Sequence, residues 1–299
     1  MWIGIIAALA LLALVIGLGF YLAAYAMGGK RQTLEEARAW QEEHYDLSWY
    51  DGLDKADYTV KSDDGYALHV QLVRHPSPAG KYVILSHGYT DNRFGALKYG
   101  RLYLDRGFSL IVYDLRGHGL NAPTFCTYSV RERRALLALI RDSRGRYPDM
   151  KLLGLHGESL GAATTAAVLG LRPPVDFAVC DCGFAEITSI LRDGLRGMKL
   201  PGWLVHVASA CAKVRYGYGF GQMRPVDALP GNRVPMLFIH GAEDTFIPPE
   251  HSRRMQAATA GKSELVLIEG ATHAKSVLTD PKGYAGAVGK FLDELGAGS

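Results

Sequence analysis

The chain begins with an unbroken apolar stretch, residues 2–27, in which every position is apolar, aromatic or small and none is charged. At a helical rise of about 1.5 Å per residue, this stretch is long enough to cross a hydrocarbon layer of about 30 Å. Residues 32–49 then mix Glu, Ala and Arg with aromatic residues, which predicts a short helical connector packed on the domain or on a membrane surface. Residues 58–61 and 66–73 alternate apolar and polar positions around Ser62-Asp63-Asp64-Gly65, the pattern of an antiparallel hairpin. Beyond the hairpin the pattern changes to short continuous apolar runs at 82–85, 110–113, 152–155, 177–180, 236–239 and 265–268. Such runs predict strands covered on both faces.

Helix-like segments at 96–106, 130–144, 162–171, 250–260 and 284–295 separate these runs. The alternation predicts an α/β fold with a central, mostly parallel sheet flanked by helices and joined by right-handed crossovers. Residues 184–232 break the rhythm and are too long for a simple loop. Their apolar positions, among them Leu191, Leu195, Trp203, Leu204 and Val205, predict a small helical lid inserted before the strand at 236–239. Open α/β sheets place their ligand crevices at the strand ends that such a lid covers. The chain thus divides into an N-terminal anchor at 1–28, a connector at 29–56 and an α/β domain at 57–299.

Charge narrows the list of partners. The net charge of +3 is spread along 299 residues without a basic run or a basic patch interleaved with aromatics, so nothing supports a nucleic-acid partner. No Lys or Arg precedes the apolar stretch, and a cleavable signal normally has a basic start and an apolar centre of only about 7–15 residues. A retained single-pass membrane anchor is therefore expected. Cleavage stays open as an alternative, because Ala24-Tyr25-Ala26 fits a small-x-small site. Lys30 and Arg31 follow the stretch directly, which favours a cytoplasmic catalytic domain over an extracellular one. Cys126, Cys180, Cys182 and Cys211 lack metal-ligand spacing and are expected as buried, reduced cysteines.

The candidate chemistry centres on Gly157-Glu158-Ser159-Leu160-Gly161, which follows one apolar run and precedes a run of small residues. Strand, sharp turn and helix in that order form a nucleophile elbow, in which the glycines admit a turn that lifts the Ser hydroxyl clear of the sheet. Ser159 is the candidate nucleophile. The candidate base is His273, in Gly270-Ala271-Thr272-His273, after the last apolar run and before the final helix. The acid that orients it is expected at Asp244, with Glu243 the nearest alternative and Asp227 a distant one, while Asp280 is expected to cap the final helix. Leu85-Ser86-His87-Gly88-Tyr89 follows the first long apolar run, and there the backbone N–H of Tyr89 is expected to join that of Leu160 as an oxyanion hole. Asp114-Leu115-Arg116-Gly117-His118-Gly119 gathers three chemistry-bearing side chains but is expected to hold its loop by charge-assisted hydrogen bonds. His156 and His240 are expected as satisfied core residues, His87 as a buttress of the oxyanion loop and Glu158 as a brace of the elbow.

With these segments together, the chain from residue 58 onward resembles the α/β-hydrolase superfamily. The segments at 87–92, 114–119, 157–161, 225–228, 240–244 and 272–274 are similar to those of membrane-anchored bacterial serine hydrolases, related to the serine aminopeptidase and acyl-esterase branches. The loop at 87–92 lacks the triple glycine of one lipase group. The resemblance implies an α/β-hydrolase fold and acyl transfer to water through Ser159, His273 and Asp244, by way of an acyl-enzyme. It implies a carboxylesterase-like activity that requires no metal or organic cofactor. A peptidase, a thioesterase or a non-catalytic protein using the lid as an interaction surface are the alternatives. The apolar and aromatic lid residues point to a small-molecule substrate with a hydrophobic acyl group.

Overall fold

The alternating segments pair first: β1 (Lys55–Lys61) and β2 (Ala67–Val73) form the antiparallel hairpin in the computed structural model, which describes residues 1–297. The continuous apolar runs become β3 (Lys81–Ser86), β4 (Phe108–Tyr113), β5 (Leu152–Glu158), β6 (Phe177–Asp181), β7 (Met236–Gly241) and β8 (Ser263–Ile268). All eight join one sheet in the order β1-β2-β4-β3-β5-β6-β7-β8. β2 meets β4 antiparallel, and every pairing from β4 onward is parallel. The hairpin thus forms one edge of a sheet that is otherwise parallel.

Around the sheet lie α1 (Trp2–Met27), α2 (Leu34–His44), α3 (Ser48–Asp51), α4 (Gly100–Leu104), α5 (Glu132–Arg146) and α6 (Leu160–Leu169). They are followed by α7 (Ile187–Gly197), α8 (Leu204–Tyr216), α9 (Glu250–Ala258), α10 (Ser276–Thr279) and α11 (Pro281–Glu294). Two apolar cores result, one on each face of the sheet. One gathers residues of α5, α6, α7 and α8, and the other packs Tyr103 of α4 and Phe291 of α11 against Phe108 and Phe177. Because both faces are covered, the inner strands carry apolar side chains on both sides. α7 and α8 sit between β6 and β7 as the expected helical insertion, and Asp280 accepts the Gly283 N–H at 2.9 Å to cap α11.

The segment at 96–106 departs from the single helix expected there. It forms a 3₁₀-helix, Arg93–Tyr99, followed by the short α4. Long-range partners fix its start: the Arg93 N–H donates to Asp114 and its guanidinium pairs with the same carboxylate, each at 2.9 Å. Asn92 accepts the Phe94 N–H at 3.1 Å. A side chain that binds the next turn in this way competes with regular helical bonding.

α1 has two parts. Residues 1–14 are exposed throughout, while Gly19, Leu22, Ala23, Ala26 and Met27 are buried against the domain. Gly19 faces α8 so closely that an added Cβ would lie 2.7 Å from Val207 Cγ1 and 2.8 Å from Cys211 Sγ. A small residue here permits the two helices to approach. Gly17, two residues earlier, has nothing within 4 Å of its Cβ position. Gly19→Leu is therefore expected to lower the melting temperature of the detergent-solubilised full chain by roughly 2–10 °C. Gly17→Leu is expected to leave it unchanged, and equal melting of both variants would show that α1 does not pack on α8.

Candidate active site

The turn from β5 into α6 is tightly constrained. Ser159 sits at φ 51° and ψ −111°, a region that costs an L-residue about 1–3 kcal/mol. The turn closes because its neighbours are glycines. A Cβ on Gly157 would lie 2.2 Å from the Gly161 carbonyl oxygen, and one on Gly161 would lie 2.2 Å from that of Ser86. The Ser159 N–H donates to the Asp181 carbonyl at 2.9 Å, which ties the turn to the end of β6.

Two loops at the C-terminal ends of the strands bring side chains to this turn. The Ser159 hydroxyl donates to His273 Nε2 at 3.1 Å, and His273 Nδ1–H donates to Asp244 Oδ2 at 2.6 Å. His273 follows β8 and Asp244 follows β7. Asp244 is buried and richly hydrogen-bonded: its Oδ1 accepts the N–H groups of Phe246 at 3.0 Å and Ile247 at 2.9 Å. His240 Nε2 stands 3.2 Å from its Oδ2. Burial works to raise the Asp244 pKa, but the contacts from His240 and His273 outweigh it and hold the carboxyl below its ordinary range. Glu243 is exposed, and Asp227 pairs with Arg224 at 3.0 Å on the surface. Neither is joined to His273.

The loop after β3 passes the other side of Ser159. A Cβ placed on Gly88 would lie 3.8 Å from the Ser159 Cβ, and Tyr89 is the next residue. Leu160 opens α6, and its N–H is among the first four of a helix, which have no partner within it. His87 is fully buried and accepts the Leu115 N–H at 2.9 Å. The His118 ring lies between the carbonyl oxygens of Arg116 and Tyr89. Burial lowers the pKa of both histidines to about 3, and both rings support the loop. Arg116 pairs with Asp64 at 2.8 Å, which gives the segment at 114–119 the holding role expected of it. His156 is satisfied by the hydroxyls of Tyr103 at 2.9 Å and Tyr284 at 3.0 Å.

Beneath the elbow lies a buried polar network that the sequence does not announce. Glu158 pairs with Lys98 and accepts the Tyr99 hydroxyl at 2.6 Å, and the same hydroxyl lies 2.9 Å from Asp181 Oδ2. Burial opposes the charge on Lys98, yet Glu158 beside it raises its pKa above the usual lysine range. Burial, with the charge of Glu158, pushes Asp181 up to about 6. Lys98 falls in a mixed segment and Asp181 merely ends an apolar run, so only their convergence in space identifies them. A second unannounced group is α1 itself: Leu22 and Ala26 line the cavity of about 690 Å³ that opens at Ser159 and His273. That volume lies in the range of small-molecule sites.

Comparison with known proteins agrees with this architecture. The model of the alpha/beta hydrolase family matches residues 83–287. The uncharacterized protein YqkD of Bacillus subtilis (strain 168) is 29% identical over 293 residues, covering 96% of this chain and 95% of its own. Non-heme chloroperoxidase CPO-A1 of Kitasatospora aureofaciens is 23% identical over 245 residues, covering 68% of this chain and 88% of its own. Among solved structures, the esterase Pf2001 of Pyrococcus furiosus superposes with a TM-score of 0.66 at 22% identity, covering 81% of this chain and 93% of its own. The acylaminoacyl peptidase of Pyrococcus horikoshii superposes with a TM-score of 0.62 at 14% identity, covering 84% of this chain and 42% of its own. At these identities the two structures share the fold.

The raised Asp181 carries a pH signature. Its folded pKa of about 6 exceeds the ordinary 3.8, so above pH 6 the folded state holds a charge that the unfolded chain carries more cheaply. The cost fades as pH falls from 6 to about 4, where both states become protonated. Asp181→Asn is expected to raise the melting temperature by on the order of a few degrees at pH 8, with the gain vanishing near pH 4. A gain independent of pH would assign it to packing instead of charge.

Proposed function

We propose that this chain, which belongs to the alpha/beta hydrolase family, is a serine hydrolase of carboxylesterase type that uses Ser159, His273 and Asp244 as its catalytic triad. The observation that carries the reading is the linear contact of the three: hydroxyl to Nε2 at 3.1 Å and Nδ1 to carboxylate at 2.6 Å, with the hydroxyl on a strained turn. Asp244, held ionised, fixes the His273 tautomer with its proton on Nδ1 and Nε2 free to accept. His273 takes the Ser159 proton as Oγ attacks the acyl carbonyl. The oxyanion forms beside the N–H groups of Tyr89 and Leu160, where each fixed donor contributes about 2.7–4 kcal/mol. His273 returns the proton to the departing alcohol, leaving an ester on Ser159. Water activated by His273 then releases the acid and restores the hydroxyl.

In the same reading α1 is a retained membrane anchor, with the domain on the cytoplasmic side favoured by Lys30 and Arg31 after it. Its length and apolar character suit a span. Retention is further supported by packing, because cleavage after Ala26 would remove Leu22, Ala23 and Ala26 from one of the two cores.

Ser159→Ala is expected to abolish ester turnover and labelling by a fluorophosphonate probe while leaving the melting temperature near that of the native chain. Asp244→Asn is expected to lower kcat about 10⁴-fold, and Glu243→Gln to leave it within about twofold. Native protein that is folded yet unlabelled would overturn the reading, and an Asp244→Asn variant of native rate would remove Asp244 from the triad. Rates on matched esters, thioesters and aminoacyl amides separate an esterase from a thioesterase or peptidase.

A further inference from the structure

The cavity at Ser159 has walls of two kinds. Elbow and loop residues supply charged groups, among them Asp91, Lys98, Glu158 and Lys275, whereas α1, α7 and α8 supply Leu22, Ala26, Ile190, Leu195, Val205 and Ala208. The α1 wall is locked to the rest of the site. The Ala26 carbonyl accepts the hydroxyls of Tyr89, at 2.8 Å, and Tyr128. The Met27 carbonyl accepts the Cys126 N–H at 2.8 Å, and the Gln32 N–H donates to the Thr90 carbonyl at 2.8 Å. The side chain that grips α1 therefore belongs to the same Tyr89 whose backbone is assigned to the oxyanion hole.

The rim of the cavity is apolar and uncovered. Tyr25, Met198 and Phe246 all line the cavity, yet they are 62%, 53% and 64% exposed. Clustered exposed apolar side chains at a pocket mouth mark contact with an apolar partner. The helix that bears Tyr25 identifies that partner. The wholly exposed run ends at residue 14 and Gly19 is the first buried position, so about 21–27 Å of helix stands clear of the domain, against a hydrocarbon layer of about 30 Å. For α1 to span the layer, the domain must lie flush against the bilayer. Leu22 is then at most about 12 Å along the helix from the free part, and the exposed Tyr21 and Tyr25 are of the type that occupies the headgroup boundary.

Resting on the serine-hydrolase reading, we propose that the acyl donor is a long-chain amphiphile drawn from the bilayer, and that α1 is a specificity-determining wall of its alkyl site. The alkyl chain passes the rim at Tyr25, Met198 and Phe246 and lies against Leu22 and Ala26, while the polar head remains among the charged residues of the elbow side. The N-terminal helix thus both anchors the domain and completes the acyl site, and chain-length preference is written partly in the anchor.

The test uses the full chain reconstituted in phosphatidylcholine vesicles, with p-nitrophenyl palmitate and butyrate as probes and fluorophosphonate labelling as the independent report on Ser159. The native chain is expected to have the higher kcat/KM on the palmitate. Leu22→Trp is expected to lower the palmitate-to-butyrate ratio at least about tenfold, with Ser159 still labelled. Leu22→Ala, which removes bulk and cannot block the site, is expected to move the ratio toward the palmitate and decides the matter if the Trp variant loses labelling through misfolding. Leu11→Trp, on the free part of α1, is expected to leave the ratio unchanged. A ratio insensitive to both Leu22 variants, or a native preference for butyrate, overturns the inference and leaves the hydrolase reading intact. A native chain that is neither labelled nor active on either ester overturns the reading beneath it.

Discussion

Ser159 occupies a backbone conformation that almost any other arrangement of the chain would avoid, and the molecule around it is organised so that the turn cannot relax. β5 and α6 meet at a point where Gly157 and Gly161 approach neighbouring backbone too closely for any side chain. The sheet holds one end of the turn and the first turn of α6 the other, so the strain of about 1–3 kcal/mol is offset by pairing and packing elsewhere. In return the hydroxyl stands at the C-terminal ends of the strands, where the loops after β3, β7 and β8 converge. A regular strand-to-helix connection would leave the same three loops in place with nothing for His273 to meet.

The elbow also rests on charge. Glu158 joins a buried set with Lys98, Tyr99 and Asp181. Buried charges are costly unless paired, and removing one partner of a buried ion pair such as Lys98–Glu158 commonly costs about 3–5 kcal/mol. The network therefore specifies one position for the residue before Ser159 more than it adds net stability. His87, His118 and the Asp114–Arg93 pair do the same for the loop after β3. The site is thus surrounded by polar groups that hold position, and in the proposed mechanism the proton passes between Ser159 and His273.

The union of α1 with this frame changes what an N-terminal apolar helix means here. A tether needs only length and hydrophobicity. This helix has in addition a glycine fitted to α8, a carbonyl that accepts two tyrosine hydroxyls at its last turn, and side chains facing the cavity. Those features connect the position of the helix to the loop beside Ser159 through Tyr89, and they give a physical route by which the surroundings of α1 bear on the site.

Much of this was legible in the chain itself. Periodicity alone distinguishes the hairpin at 58–73 from the covered strands, because side chains alternate with a period of two and only a strand buried on both faces reads as a continuous apolar run. The elbow, the loop histidine and the carboxylate at 244 are legible because turn chemistry is local and chain order fixes which loops reach the sheet's C-terminal edge. Choosing Asp244 over Glu243 needed only one residue's difference in direction, which the structure supplies by burying the first and exposing the second. Lys98, Tyr99 and Asp181 were not legible, since each is unremarkable in its own segment and acquires meaning through partners 59 and 82 residues away. Nor was the second role of α1: composition and length report that a segment suits a membrane, but which of its residues face a cavity depends on a helix nearly two hundred positions later in the chain. Local sequence determines the kind of element and the chemistry it carries. Long-range packing decides which of those chemistries share one space.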